Sequence, residues 1–340
     1  MLEIQKYLQT HSLEQLKDDY GINYKINEDG RVLCDYDQIE SSHHKSHQIV
    51  RDARGLVLEN NTWKLISKSF SRFFNYPEVD IIDWSNPVNC TVKEDGSLIN
   101  LHHYNGNWHA TTRYSWCDLF VNDHTETWKQ LIDKHIDYSK LDIRFSYIFE
   151  LVGPYNKVVV DYPPGLILLS VFLGEYESSY EDAKEVAKYI GIPHVKSFNV
   201  KSEDELFTLL NGLNKNCVDS EGFVIRDCNN VRSKVKHELY MVYHRFIMAN
   251  ELDELLSFKC FQYLKEDIKG YQAKIDKAWQ EIDNVWFCHH DEPSQRRFAE
   301  KIIKDTKYTA PLFNARKTGK SPREFFTSDY VLKNVFGVKP

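Results

Sequence analysis

The spacing of apolar residues changes character once along this 340-residue chain, and that change limits the folds open to it. Between about residues 50 and 235, apolar residues fall in runs of four to eight, bounded by turn residues. Gly55–Glu59, Ser146–Val152, Lys157–Val160, Leu166–Phe172 and Gly222–Arg226 are examples. Runs of this length, alternating or continuously apolar, read as strands. Asn105-Gly106, between Leu98–Tyr104 and Trp108–Thr112, is a hairpin turn signal. Helices are interleaved: Ser179–Ile190, closed by Gly191-Ile-Pro193, and Ser202–Leu213, with Ser202 as N-cap and Glu205 at N3. Residues 2–20 also read as helical. Beyond about residue 246 the strand pattern stops, and Ile247–Leu264, Ile268–Trp286 and Gln295–Lys304 carry apolar residues at three- and four-residue spacing. Asp291-Glu-Pro293 separates the last two. The expectation is an α+β body with antiparallel sheets over residues 1–245 and an all-α domain over 246–340.

Composition excludes some classes. The chain is 42% hydrophobic, enough for a full core, yet no apolar run approaches the length of a membrane span. No secretory signal opens it. Seven cysteines, odd in number and with no Cys-x-x-Cys pair, suit reduced thiols and a cytoplasmic location. The net charge is -7, divided as -12 over residues 1–230 and +5 over 231–340. A basic part can still attract a polyanion, because screening removes distant negative charge beyond about 8 Å at physiological salt. Residues 296–340 hold 11 Lys+Arg against 4 Asp+Glu, with Tyr308, Phe313, Phe325, Phe326 and Tyr330 among them. Cations position phosphates and aromatics stack on unpaired bases; the alternative is that these rings face the core of the bundle.

The segment Val92-Lys93-Glu94-Asp95-Gly96-Ser97-Leu98 carries the most chemical information. A β-like run, Asn89–Val92, delivers a lysine into an Asp-Gly turn, and a second strand follows, so Lys93 is expected at the mouth of a hairpin facing a cleft. Alone, the segment also fits a solvated turn. Its company is what distinguishes it. Arg51-Asp-Ala-Arg54-Gly55 and Lys68-Ser-Phe-Ser-Arg72-Phe73-Phe74-Asn75 lie upstream. Thr112-Arg113, Phe149-Glu150, Leu166–Val171, Ser220-Glu221-Gly222-Phe223-Val224 and Ser233-Lys234-Val235-Lys236 follow downstream. A lysine nucleophile, two acidic residues at strand ends and a closing Lys-x-Lys suit transfer of a nucleotidyl group from a triphosphate to lysine.

In that order, Lys-x-Asp-Gly, Phe-Glu, Glu-Gly-Phe-Val and Lys-x-Lys resemble the covalent nucleotidyltransferases: DNA ligases, RNA ligases and mRNA capping enzymes. The nearest likeness is to the RNA ligase 1 family of T-even phages, over about residues 45–245. The resemblance implies an ATP-dependent ligase-like nucleotidyltransferase fold. It also implies sealing of RNA 5′-phosphate and 3′-hydroxyl ends through lysyl-AMP and AMP-capped RNA intermediates. Magnesium would assist, with Mn²⁺ able to substitute. Lys93 would be the nucleophile. Arg54, Arg72, Arg113, Lys234 and Lys236 would contact phosphates, Glu150 the ribose, and Leu169 and Val224 the adenine; Asp95 and Gly96 would shape the Lys93 turn. Glu150 and Glu221 would hold metal. The family often has lysine where Arg72 stands. Possible RNA partners include nicked tRNA in RNA repair, with a separate end-healing kinase or phosphatase. The helical tail would choose the RNA; DNA ligases and capping enzymes usually carry a β-rich OB fold instead. A GTP-dependent capping-type enzyme and a non-catalytic RNA-binding protein remain as alternatives.

The chemistry makes a demand that needs no resemblance. A lysine amine attacks phosphorus only when neutral; with a pKa near 10.4, about one in a thousand is neutral near pH 7.4, a cost of roughly 4 kcal/mol. Neighbouring cations and desolvation reduce that cost. Two other signals are weaker. Asn314–Ser321 imitates a P-loop but lacks the first glycine and a preceding strand, and is expected as a basic loop. Cys288-His289-His290-Asp291 lacks a second cluster at zinc spacing and is expected as a loop without metal.

Overall fold

The computed structural model describes residues 1–121, 125–213, 220–237, 240, 241, 244, 267–327, 330, 331, 334 and 335, with side chains from 273 onward in the last helical region. The chain divides into two compact units, Met1–His237 and Glu238–Pro340.

Among its described residues the first unit contains fourteen strands. In chain order they are β1 (Ile22–Ile26), β2 (Arg31–Tyr36), β3 (Leu56–Glu59), β4 (Leu65–Ser67), β5 (Phe74–Asn75), β6 (Val88–Lys93), β7 (Ser97–Tyr104), β8 (Asn107–Thr111), β9 (Phe145–Val152), β10 (Gly165–Leu173), β11 (Tyr176–Glu177), β12 (Ser197–Val200), β13 (Gly222–Arg226) and β14 (Arg232–Lys236). They form three sheets, ordered β1-β2-β3-β4, β11-β10-β9-β7-β8 and β12-β6-β13-β14-β5. All neighbours are antiparallel except β14 and β5. Each sheet buries one face in its own core. Helices Glu3–Leu8 and Leu13–Tyr20 pack on the first sheet, Trp128–Asp133 and Tyr180–Ile190 on the second, and Glu203–Asn211 on the third. Burying side chains such as Leu56, Phe149 and Ile225 contributes roughly 1.5–3 kcal/mol each.

Local signals place several of these elements. Ser179 and Ser202 cap their helices, accepting from the backbone N–H groups of Asp182 and Glu205. Gly191 ends the first of them in the left-handed conformation. Asn105 and Gly106 both have positive φ, 47° and 81°, as a two-residue hairpin turn requires. The predicted helix over 2–20 is interrupted: Ser12 caps a new helix, and Gln9–His11 lie between the two.

Two expectations fail for non-local reasons. Lys157–Val160 is not a strand. The backbone N–H groups of Val159 and Val160 donate to Asp95 Oδ2, both at 2.8 Å, rather than to a neighbouring strand. More importantly, β6 and β7 do not pair with each other. β6 belongs to the third sheet and β7 to the second, so Lys93–Gly96 crosses between sheets instead of closing a hairpin.

The second unit contains helices Asp267–His289, Gln295–Asp305 and Thr309–Thr318, around a core that includes Ile275, Ile282, Phe298, Ile302 and Leu312. The expected helix Ile247–Leu264 lies outside the described residues. Asn314–Thr318 is the end of a helix rather than a basic loop, and Gly319 follows it at φ 74°. Tyr308 and Phe326 are buried in the core, and Phe313 and Tyr330 pack against it, so these rings are engaged in packing. Among the described residues no helix is long and apolar enough to cross a membrane.

Gly222 shows how closely the third sheet is built. Its φ is +138°, and a Cβ there would stand 2.2 Å from the Val235 carbonyl oxygen. Gly222→Ala is therefore expected to destabilise the protein by about 3 kcal/mol or more, read as a lowered midpoint in urea unfolding.

Candidate active site

β6, β13 and β14 lie side by side in register, so alternate residues form one surface. Lys93 pairs with Gly222 and Gly222 with Lys236; Thr91 pairs with Val224 and Val224 with Lys234; Asn89 pairs with Arg226 and Arg226 with Arg232. Successive strand residues point to opposite faces. Phe223, Ile225 and Val235 therefore enter the core, while Lys93, Val224 and Arg226 line a cleft with Thr91 and Asn89. The second sheet supplies the facing wall through Glu150 on β9, Leu98 on β7, and Leu169 and Ser170 on β10. A bulge between Leu168 and Ser170 shifts the register and re-aims Leu169.

One end of this cleft is strongly charged. Lys93 Nζ is paired with Glu221 Oε2, and Lys236 Nζ lies 2.6 Å from Glu221 Oε1. Burial opposes the Glu221 carboxylate, but Lys93 and Lys236 outweigh it and lower its pKa. Lys234 lies close by: burial, then Lys236, Lys93 and Arg54, lower its pKa to about 8. Burial raises Glu150 to about 8, with Lys93 and Arg54 opposing the shift and Glu221 adding to it. Arg54 is lowered by burial; its guanidinium donates to the Phe70 carbonyl at 3.5 Å and lies 5.4 Å from the Phe73 ring centre.

The crossing segment is shaped by backbone contacts. Gly96 N–H donates to Glu150 Oε1 at 3.1 Å, and a Cβ on Gly96 would stand 2.4 Å from the Leu151 carbonyl oxygen. Asp95, buried, holds the 159–160 backbone as described above. Tyr162 donates to Glu94 Oε2 at 2.9 Å, so Glu94 is fixed beside Lys93 at the cleft wall.

Arg72 and Arg113 belong to a second cluster. Their guanidinium carbons lie 4.0 and 4.1 Å from the Tyr36 ring centre. Arg113 Nε donates to both oxygens of Asp35, at 2.8 and 2.9 Å, and Arg72 donates to Ser41 Oγ at 3.0 Å. Arg54 senses Tyr36, Arg113 and Asp35 as well as Glu150, which links this cluster to the Lys93 end. The structure thus gathers Lys93, Glu150, Glu221, Lys234, Lys236 and Arg54, with Leu169 and Val224 farther along the cleft. Arg72 and Arg113 lie around Tyr36.

Sequence reasoning missed Tyr36, Glu94, Glu177 and Arg232. Arg232 could have been found: it stands two residues before Lys234 on the same strand face. Tyr36, Glu94 and Glu177 had no motif to mark them.

Glu221, which its lysines hold ionised, and Glu150, which must first shed its proton, would be the carboxylates available to a divalent cation, with water and phosphate oxygens completing its shell. Among the described residues no group of three His, Cys, Asp or Glu side chains could hold a metal.

Residues 52–247 match the family model described as RNA ligase. The chain belongs to the RNA ligase family of the phage T4 ligase 1 type. This RNA ligase family member is 27% identical, over 311 residues, to a protein of Autographa californica nuclear polyhedrosis virus named as a bifunctional polynucleotide kinase/RNA ligase. That match covers 80% of this chain and 43% of the viral protein. It is also 27% identical to an RNA ligase of Rhodothermus phage RM378, over 56% of this chain and 59% of the phage protein. The chain spans about half the length of these relatives. Among solved structures, an archaeal ATP-dependent RNA ligase superposes with a TM-score of 0.55 at 13% identity, over 92% of this chain and 83% of that one. A protein named as an ATP-dependent DNA ligase from Aquifex aeolicus gives 0.51 at 17% identity, over 89% of each chain. These likenesses show the ligase nucleotidyltransferase fold.

The Glu150 carboxyl generates a pH prediction. The unfolded chain loses this proton near the ordinary value of 4.5, whereas the folded protein keeps it to about 8. Between those values unfolding releases a proton, so this group makes stability fall as pH rises. Glu150→Gln removes the dependence. Its stability relative to wild type is expected to climb from about pH 5 to about pH 8 and then level off, measured by urea unfolding across that range.

Proposed function

We propose that this chain is an ATP-dependent RNA ligase that joins RNA 5′-phosphate and 3′-hydroxyl ends, with Lys93 as its nucleophile. The observation that carries this reading is the shared carboxylate: Glu221 holds Lys93 and Lys236 together at one end of a cleft between two sheets. Lys93 Nζ, freed from Glu221 and without its extra proton, attacks the α-phosphorus of ATP. A nitrogen–phosphorus bond forms, the bond to pyrophosphate breaks, and AMP remains on the lysine. Lys234, Lys236 and Arg54 offset charge on the phosphates during the transfer, an effect strongest where water is excluded. The RNA 5′-phosphate then takes AMP from Lys93, and a 3′-hydroxyl displaces AMP from the capped end, which seals the strand.

Glu150 lies near the ribose, and Leu169 and Val224 flank the adenine with aliphatic surface. Arg72 and Arg113, around Tyr36, extend the cationic surface toward the outer phosphates or the RNA end. A divalent cation, Mg²⁺ or Mn²⁺, would be held by Glu150 and Glu221 and would supply further phosphate neutralisation. Asp95 and Gly96 keep the Lys93 crossing in place through contacts with the 159–160 backbone and Glu150. We assign substrate choice to the helical region after residue 245, and RNA repair, with nicked tRNA as a candidate substrate, as the setting. The viral relative named for both kinase and ligase supports pairing with an end-healing activity that supplies 5′-phosphates.

Incubation with ATP and Mg²⁺ is expected to raise the intact-protein mass by one AMP. Lys93→Ala is expected to show no gain while remaining folded, with a urea midpoint lowered by the loss of one of the two partners of Glu221. An adduct on Lys93→Ala would refute the nucleophile assignment. With a 5′-phosphorylated RNA, the loaded wild-type protein is expected to yield AMP-capped and then sealed RNA.

A further inference from the structure

The end of the cleft opposite Lys93 has its own charged cluster, which the reaction as described does not use. Arg226 and Arg232, a cross-strand pair on β13 and β14, reach across to Glu177 on β11 in the second sheet. Their distances to Glu177 Oε1 are 2.8 and 2.7 Å, and Ser170 Oγ donates to the same oxygen at 3.0 Å. All three bonds fall on Oε1. Among the described residues Oε2 has no hydrogen bond, and Glu177 lines the cleft. Ser178, the next residue, lines the cleft too, and its Oγ is buried without a partner. A buried hydroxyl left unpaired costs about 1–3 kcal/mol and calls for an explanation.

Position gives that explanation. Asn89 and Arg226 lie four residues along their strands from Lys93 and Gly222, roughly 13 Å at strand spacing. That is about the reach of a nucleoside monophosphate from its phosphorus to the far edge of its base. Val224 lies between the two ends, and Leu169 faces it from the bulge. The base edge of a nucleotide attached at Lys93 would therefore come within reach of Glu177 and Ser178.

We propose that Glu177 selects adenine, its free Oε2 accepting a hydrogen bond from the 6-amino group while the Ser178 hydroxyl donates to a ring nitrogen. The inference rests on the ATP-dependent reading above. An ionised carboxylate only accepts. It matches an amino group at position 6 of a purine and repels the carbonyl oxygen that guanine carries there. Burial opposes ionisation of Glu177, but Arg232 and Arg226 outweigh it, so the group remains an acceptor. Arg226, Arg232 and Ser170 are positioning residues: they pin one oxygen and so aim the other.

The test compares formation of the Lys93 adduct from ATP, GTP and purine riboside triphosphate, which has hydrogen in place of the 6-amino group. Each is scored by intact mass in single-turnover time courses. Wild type is expected to favour ATP over purine riboside triphosphate by roughly 10- to 100-fold in apparent second-order rate, the range for a hydrogen bond to a charged group. Equal use of the two overturns the proposal while leaving the ATP reading intact. Absence of an adduct with every nucleotide overturns both. In Glu177→Gln the side-chain amide can donate to a carbonyl, and the preference for ATP over GTP is expected to shrink at least 10-fold. An unchanged preference in a folded Glu177→Gln protein also overturns the proposal. If that variant does not fold, the wild-type comparison between ATP and purine riboside triphosphate decides, because it needs no substitution.

Discussion

Two ammonium groups share one buried carboxylate, and the geometry of the reactive centre follows from that arrangement. Lys93 ends β6, Glu221 precedes β13 and Lys236 ends β14, so the three meet only when the third sheet is assembled in its observed register. Buried ion pairs contribute little net stability, because desolvation offsets much of the attraction. Removing one partner, however, leaves an uncompensated charge and costs several kcal/mol. The triad is thus a poor stabiliser and a strict specifier of position. Such a device suits chemistry more than folding.

The same cleft drives neighbouring groups in opposite directions. Glu221 is lowered by its lysines, Glu150 is raised by burial, and Lys234 is lowered by burial and by the cations around it. Divergent shifts among groups gathered around a candidate nucleophile are characteristic of functional sites. They arise because two sheets meet here. The third sheet brings the cations, and the second brings Glu150 and the aliphatic wall. The crossing at Lys93–Gly96 ties them together at one end, and Glu177 with its two arginines ties them at the other.

Much of this was legible in the sequence, and what was not has identifiable physical causes. The run of β-type residues marked Gly222–Arg226 as a strand, and the Lys-x-Lys motif picked out Lys234 and Lys236. Asn105-Gly106 fixed a hairpin through the backbone preferences of two residues. The Lys93 segment misled because strand pairing is set by distant partners: an Asp-Gly turn looks the same whether its strands pair together or join different sheets. Lys157–Val160 has strand composition, but the Asp95 carboxylate claims its N–H groups. Tyr36 and Glu177 act through what the fold sets beside them, and neither belongs to a local pattern. Among the aromatics of the basic tail, Tyr308 and Phe326 are core residues, which composition alone could not distinguish from a stacking surface.

The turn between β13 and β14 controls more than it touches. Asp227 accepts from the N–H groups of Asn229 and Val231, both at 2.9 Å, and Asn230 adopts positive φ, which sets the loop at a fixed length. Because side chains alternate along a strand, one added residue in this loop would reverse the phase of β14. Arg232, Lys234 and Lys236 would then point into the hydrophobic core, while Ser233 and Val235 would face the cleft. A one-residue change that the loop passed on to β14 would strip the cleft of three cations, although no atom of the loop need meet a substrate.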